Sequence, residues 1–267
     1  MAGHLLGAMG MNEWELRLLL DRAAEPSGAS LAGRLVVLGA TEASPSTPSS
    51  APEVAARRLG ADAVRMTLEG DVPTMARALA ALAPDLAVLS HGAAGVPSRI
   101  AARLRCPVVN AGDGARENLP DALVITLALR EALGDVQGRS VVLLGDALHS
   151  GTARSALIVL GALGARLRLV APSTLLPPGA AEMGATIHTD ADEGVLGADA
   201  LVVLPLAPRA VGTLVASARD FERDYGATPE RIARAAPGAV VVDRAARLPH
   251  DVPVMMALML TALGVEP

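Results

Sequence analysis

Hydroxyl side chains are concentrated in one short stretch of the chain that could hold a small ligand. Residues 44–50 read Ser-Pro-Ser-Thr-Pro-Ser-Ser and include no basic side chain. The hydroxyl groups belong to Ser44, Ser46, Thr47, Ser49 and Ser50. They could line a pocket for a neutral or zwitterionic molecule. A polar loop that ends in a helix cap explains the same residues equally well.

Two further blocks place an aspartate directly after a glycine. They are Asn-Ala-Gly-Asp-Gly at 110–114 and Gly-Asp-Ala-Leu-His-Ser at 145–150. Aspartate in such turns commonly accepts hydrogen bonds from the nearby backbone, so we expect Asp113 and Asp146 to be structural. We also expect His149 to hold the turn rather than to catalyse.

Only one residue is a candidate for catalysis. His91 could polarise a carbonyl group, although a loop histidine without a catalytic role is the favoured alternative. Arg209 could meet an anion, but an exposed loop arginine is the commoner case. The five histidines are scattered, which predicts no metal site. The 145–150 block lacks the spaced glycines of a dinucleotide loop, so no cofactor is predicted.

Charge and composition exclude several classes of protein. All 23 residues of the Lys+Arg count are arginine, so chemistry that requires a lysine of this chain is excluded. The net charge is −5 and no basic cluster occurs, which argues against nucleic-acid binding. The longest apolar run is too short to cross a membrane, and no signal peptide is evident. A single cysteine excludes an internal disulfide and indicates a cytoplasmic protein.

Short apolar runs alternate with helical stretches along the chain. Such runs are typical of strands covered on both faces of a parallel sheet. The predicted strands are 34–38, 63–67, 86–90, 108–110, 140–144, 166–170, 185–188, 200–204 and 239–242. Capping patterns at Asn12, Ser50, Asp71 and Ser150 predict helices between them.

This order predicts an α/β fold of two doubly wound parallel-sheet lobes joined by helices. We expect an N-lobe at 1–133 and a C-lobe at 134–251, with the helix at 252–264 packing back on the N-lobe. In such sheets ligands bind outside the carboxyl ends of the strands. The loops that contain the candidate residues should lie there.

Several motifs, in this order, resemble those of the aspartate and ornithine carbamoyltransferase family, closest to the aspartate branch. They are His-Leu-Leu-Gly at 4–7, Glu-x-Ala-x-x-x-Leu-Gly at 53–60, Val-Val-Asn-Ala-Gly-Asp-Gly at 108–114, Gly-Asp-x-x-His-Ser at 145–150 and Tyr-Gly-x-Thr-Pro-Glu at 225–230. The resemblance implies a two-lobed fold and a homotrimer with shared active sites. It also implies carbamoyl phosphate binding by the N-lobe and amino acid binding mostly by the C-lobe.

The departures from this family lie at its functional positions. In the N-lobe, the phosphate-binding arginines fall on Pro48, Ser49 or Ser50. The lysine that a neighbouring subunit donates falls on Leu68 or Glu69. The Arg-His pair becomes Ser-His at 90–91, and His-Pro-Thr-Gln becomes Asn-Leu-Pro-Asp at 118–121, which makes Asn118 and Asp121 candidate ligand-binding residues. In the C-lobe, the carboxylate-binding arginine becomes Gly151, and the Arg-x-Gln-x-x-Arg loop shortens to 205–209.

We therefore predict that carbamoyl transfer has been lost. The first hypothesis is a non-catalytic trimeric scaffold or partner subunit, with a dihydroorotase as a possible partner enzyme. The second is a repurposed enzyme that uses the inter-lobe cleft for a different, less anionic small molecule. The third is an active carbamoyltransferase with atypical residues.

Overall fold

The computed structural model describes residues 3–25, 28–41, 50–246 and 248–266. It divides into two compact units. The first comprises Met1–Val124 with Leu248–Pro267, and the second comprises Ile125–Arg247. The division lies inside the helix Leu119–Leu133. Both units are built from parallel strands and helices, so the α/β fold class is confirmed.

The first unit contains a four-stranded parallel sheet of order β2-β1-β3-β4. Its strands are β1 (Leu35–Ala40), β2 (Asp62–Thr67), β3 (Leu86–His91) and β4 (Val108–Asp113). Its helices are α1 (Glu13–Ala24), α2 (Ala51–Arg58), α3 (Val72–Ala81), α4 (Val96–Ala101) and α10 (Asp251–Ala262). The helix α5 (Leu119–Leu133) begins in this unit.

Two of the three predicted capping residues of this unit form a capping hydrogen bond. Asn12 forms a complete capping box with Glu15, and the Asp71 carboxylate accepts from the backbone N–H of Thr74, as predicted. Ser50 precedes α2 in a helical backbone conformation and makes no side-chain capping bond, so the predicted capping box there is wrong. A capping hydroxyl needs extended backbone geometry to reach back to the helix.

The last helix completes the first unit. α10 packs against α1 and α2. Most of its side chains are buried, which agrees with its largely apolar sequence. The guanidinium of Arg22 donates to the Thr261 hydroxyl at 2.9 Å, which fixes the end of α10 on α1.

The second unit contains a five-stranded parallel sheet of order β7-β6-β5-β8-β9. Its strands are β5 (Ser140–Gly145), β6 (Arg166–Val170), β7 (Ala185–His188), β8 (Ala200–Leu204) and β9 (Val240–Asp243). Its helices are α6 (Gly151–Ala162), α7 (Ala191–Gly194), α8 (Ala218–Tyr225) and α9 (Pro229–Ile232). Every residue of the central strand β5 is buried, which explains its uninterrupted apolar sequence.

The edge strand β2 differs sharply from β5. It lies at one end of the four-stranded sheet, and Asp62, Val64, Arg65 and Thr67 are all exposed. Its apolar character is therefore weaker than that of any central strand. No helix among the described residues is long and apolar enough to cross a membrane.

Candidate functional site

A cavity of about 100 Å³ opens in the first unit. Most of its wall is apolar, and its polar members include hydroxyl, amide and carboxylate groups. The wall is formed by Leu38, Gly39, Ala40, Ala51, Pro52, Arg65, Val88, Ser90, Ala111, Asn118, Pro120, Asp121, Val124, Asp251 and Met255. The cavity thus lies where β1, β3 and β4 end, as expected for a ligand site of a parallel sheet.

Two polar side chains of the wall converge on one glycine. Gly112 has a φ of +124°, in the region that favours glycine. A Cβ at this position would lie 3.5 Å from Asn118 Nδ2 and 3.9 Å from Ser90 Oγ. The amide of Asn118 and the hydroxyl of Ser90 therefore approach the same point at the end of β4.

The guanidinium of Arg65 provides positive charge in the described wall of the cavity. Its Nε donates to Glu53 Oε2 at 2.6 Å, and Glu53 also accepts from the Nε of Arg57 at 3.2 Å. The hydrogen bond from Arg65 holds the pKa of Glu53 below its usual value. The guanidinium groups of Arg57 and Arg65 thus share one carboxylate, that of Glu53.

Two carboxylates also face this cavity. Asp121 lies in the first turn of α5, and Asp251 is the first residue of α10. The positive ends of the helix dipoles favour negative side chains at both positions. Asn118 Oδ1 accepts from the backbone N–H of Asp121 at 3.2 Å, so Asn118 also closes the first turn of α5. Among the described residues of the wall, two are acidic and one is basic.

The candidate catalytic histidine does not belong to this wall. His91 follows Ser90 at the end of β3, and its Nδ1 accepts from the backbone N–H of Ala93 at 2.9 Å. This bond makes the ring part of a local turn. The residue that lines the cavity is the neighbouring Ser90.

Most of the remaining candidate residues that the structure describes do not line the cavity. Ser46, Thr47 and Ser49 lie outside the described residues. Ser50 is exposed, and the two residues that follow it line the cavity. Arg209 is an exposed residue of the second unit. Only Asn118 and Asp121, of the candidates that the structure describes, lie together in the wall.

The two aspartates that follow a glycine are structural, as expected. Asp146 is fully buried and accepts from the backbone N–H groups of His149 and Ala207, at 3.1 Å each. Its Oδ2 also lies 2.9 Å from Nδ1 of the His149 ring. Asp113 is equally buried and accepts from the backbone N–H groups of Gly95 and Glu117 at 2.8 Å.

The sequence did not single out Asp251 or Arg65 for this site. Asp251 reaches the cavity because α10 packs beside α2, and Arg65 projects from the edge strand β2. The only sequence signal for Asp251 is its position as an acidic residue at the start of a helix.

Aspartate carbamoyltransferase catalytic subunits resemble this chain over most of its length. An aspartate carbamoyltransferase catalytic subunit of Chelativorans sp. (strain BNC1) is 41% identical over 256 residues, covering 90% of this chain and 80% of the relative. The corresponding subunit of Beijerinckia indica is 40% identical over the same shares. No family model matches the chain.

Solved structures show the same fold. Ornithine carbamoyltransferase of Thermus thermophilus matches with a TM-score of 0.82 at 22% identity, over 98% of this chain and 99% of that one. Aspartate transcarbamoylase of Trypanosoma cruzi, in complex with N-(phosphonacetyl)-L-aspartic acid, matches with a TM-score of 0.82 at 20% identity. That match covers 97% of this chain and 95% of the other.

Proposed function

This chain belongs to the aspartate carbamoyltransferase family, and from that premise we propose that it is a member without carbamoyl transfer, acting as a non-catalytic subunit of a homotrimer or of a complex with a partner enzyme. The observation that carries this proposal is the charge of the cavity in the first unit. Its described wall contains one arginine, Arg65, whose partner Glu53 also pairs with Arg57, and two aspartates.

Carbamoyl phosphate is an anion and requires positive partners. Hydrogen bonds to charged groups contribute roughly 1.5–3 kcal/mol each, so losing four of them costs on the order of 6 kcal/mol. A cost of this size corresponds to about four orders of magnitude in binding or rate. Residues 42–49 cannot restore the charge, because they contain one glutamate and no basic residue. The missing lysine supports the same conclusion.

A steady-state assay with carbamoyl phosphate and aspartate tests the loss of activity. The relative from Chelativorans, whose name is that of the enzyme, is the positive control. We expect the rate of this chain to be lower by about 10⁴-fold or more. A rate within tenfold of the control would overturn the proposal and favour an active carbamoyltransferase with atypical residues.

Binding of N-(phosphonacetyl)-L-aspartic acid separates lost binding from slow chemistry. The aspartate transcarbamoylase of Trypanosoma cruzi binds this compound. A ligand that binds only the folded state raises the unfolding temperature, so a tight complex is readily detected. We expect a clear rise for the control enzyme and none for this chain.

The scaffold part of the proposal concerns assembly. Sedimentation of the purified chain should show a trimer, and pull-down from the native host should recover a stable complex with a partner enzyme such as a dihydroorotase. A chain that sediments as a monomer and recovers no partner would contradict this part while leaving the loss of activity intact.

The open cavity favours a second candidate function, namely binding of a different and less anionic small molecule. Apolar side chains with a few polar groups are the usual lining of small-molecule sites. A scaffold that uses only its outer surface has no need for such a cavity.

A further inference from the structure

We propose that the outward face of α4, together with the turn that follows this helix, binds an acidic segment of a partner protein. This inference rests on the proposed role of the chain as a partner subunit, and it names the surface that the partner contacts. We call this surface the arginine face and define it by Arg99, Arg103, Arg105 and Arg116. All four of these residues are exposed.

Three of the four arginines lie in a stretch of the chain without acidic residues. Residues 86–112 contain Arg99, Arg103 and Arg105, and they contain no aspartate or glutamate. The chain as a whole has a net charge of −5, so this stretch is opposite in sign to the rest of the molecule. A local excess of positive charge favours contact with a surface of negative charge.

The packing of α4 leaves these side chains on the outside. The helix buries Val96, Ile100 and Ala101 in the core of the first unit, while Arg99 is exposed. Arg103 follows the end of the helix, and its Nη1 donates to the backbone carbonyl oxygen of Arg99 at 2.7 Å. The guanidinium of Arg103 therefore lies against the turn of the helix that carries Arg99.

A fourth guanidinium reaches this face from the loop after β4. Arg116 Nη1 donates to Ser98 Oγ at 3.4 Å and to Asp113 Oδ2 at 3.3 Å. Since Ser98 precedes Arg99 in α4, Arg116 extends the arginine face along the helix. The sequence shows no run of basic residues because this contact joins two separate segments of the chain.

Most of the face has no carboxylate of its own. Among the described residues, Arg99, Arg103 and Arg105 form no ion pair, and the side chains of Arg99 and Arg105 make no hydrogen bond. Six arginines of the first unit do pair with a carboxylate, namely Arg17, Arg22, Arg34, Arg57, Arg65 and Arg116. A guanidinium without an internal carboxylate keeps its capacity for a bidentate pair with the carboxylate of a partner.

The size of the face favours a short acidic protein segment over a nucleic acid. Proteins that bind duplex DNA commonly contact about six to ten phosphates, which is more than four guanidinium groups can match. The net charge of −5 also opposes the approach of a long polyanion. Arginine is enriched in protein–protein interfaces, where it pairs with the carboxylates of the other chain.

Two peptides of equal length test the sign of the charge and the class of ligand. They are hexaglutamate and hexaglutamine, each capped at both ends, labelled with the same dye and titrated with the full-length chain by fluorescence anisotropy. Low ionic strength is used because salt screens exposed charges. We expect hexaglutamate to bind with an affinity that falls as salt is added, and hexaglutamine not to bind.

Three outcomes of this titration would overturn the inference. They are equal binding of the two peptides, no binding of hexaglutamate at low salt, and tighter binding of a labelled DNA duplex than of hexaglutamate. The last outcome would assign the face to nucleic acid.

Neutral variants locate the peptide. In the double variant Arg99→Gln and Arg105→Gln, we expect the affinity for hexaglutamate to fall at least about threefold, since two exposed ion pairs are lost. The matched control is the double variant Arg58→Gln and Arg219→Gln, which makes the same change of charge at exposed residues outside the face. Circular dichroism confirms folding of both. An unchanged affinity in the first variant, or an equal loss in both, would contradict the inference.

Two further measurements keep the alternatives apart. Sedimentation of the Arg99→Gln and Arg105→Gln variant should equal that of the original chain, whereas dissociation into smaller species would assign the face to a second copy of this chain and overturn the inference. Ordinary carbamoyl transfer would overturn the proposed function whatever the peptides do. Absent transfer together with absent binding of hexaglutamate would overturn only this inference.

Discussion

Two aspartates in turns that follow parallel strands differ in burial from two aspartates in the cavity wall. Asp113 and Asp146 are fully buried and bind backbone N–H groups of their own loops. Asp121 and Asp251 are partly exposed and face open space. The buried pair thus stabilises loops after parallel strands, whereas Asp121 and Asp251 belong to the wall of the cavity.

Removing a buried carboxylate and removing a cavity-facing carboxylate should give the largest difference in the free energy of unfolding. Asp146→Ala leaves two backbone N–H groups and a histidine ring without their acceptor. Since disrupting a buried charged network costs about 3–5 kcal/mol, we expect a loss of this size in the free energy of unfolding. Asp121→Asn should cost less than about 1 kcal/mol, the usual contribution of a charge at a helix end.

Urea denaturation monitored by circular dichroism measures both values. Equal losses for Asp146→Ala and Asp121→Asn would show that the contrast between buried and cavity-facing aspartates is wrong. A variant of Asp146 that fails to fold agrees with the expectation.

A pair of glycines tests how closely the turn after β4 is packed. Gly114 and Gly138 have similar left-handed φ values of +66° and +71°. A Cβ on Gly114 would lie 2.6 Å from the carbonyl oxygen of Gly92, whereas a Cβ on Gly138 would meet nothing within 4 Å. Both alanine variants incur backbone strain of roughly 1 kcal/mol, and we expect Gly114→Ala to cost at least about 1 kcal/mol more.

The difference in urea midpoint between these variants gives the cost of the contact alone, because the backbone strain is common to both. A smaller loss for Gly114→Ala than for Gly138→Ala would show that the turn can move away from Gly92.

Two serines that precede helices provide a smaller contrast. Ser150 Oγ accepts from the backbone N–H of Ala153 at 3.0 Å, whereas Ser50 makes no capping bond. Ser150→Ala should therefore cost about 1 kcal/mol, the typical loss for a capping residue. Ser50→Ala should change the free energy of unfolding by less than half of that. A cost for Ser50→Ala equal to that of Ser150→Ala would refute the assignment of the two caps.

The smallest expected effect is a change in acid stability. Because Arg65 holds the pKa of Glu53 below its usual value in the folded chain, ionised Glu53 stabilises the fold above its unfolded pKa. This contribution disappears as the pH falls through the folded pKa. In Glu53→Gln, we expect a shallower loss of unfolding temperature between about pH 5 and pH 3 than in the original chain. Identical slopes would show that the ion pair is too well screened to matter.

The elements of the fold could be predicted because each depends on local pattern. All nine strands of the described residues were expected, and β6, β7 and β8 have the predicted bounds. The capping box predicted at Ser50 is wrong. Its sequence fits a capping box, but a cap depends on the backbone angle of the residue, which sequence alone leaves open.

The cavity could be predicted only where a motif identified its residues. Asn118 and Asp121 emerged because they replace known positions in a family motif. Asp251 lies more than a hundred residues away in the chain, and it reaches the same wall only through the packing of α10 on α2. Local pattern carries no information about such a contact. Ser90 lines the cavity, whereas the neighbouring candidate His91 accepts a hydrogen bond within a local turn.

The exposed strand β2 has a consequence for handling the protein. In the sheet formed by the described residues, one side of β2 has no neighbouring strand, and such an edge can pair with the backbone of another chain and start aggregation. Val64 adds an exposed apolar side chain to that edge, and Asp62 and Arg65 place charges beside it. Those two charges are the natural safeguards of solubility here, so substitutions that neutralise both at once would convert a tolerated edge into a nucleation site for insoluble protein.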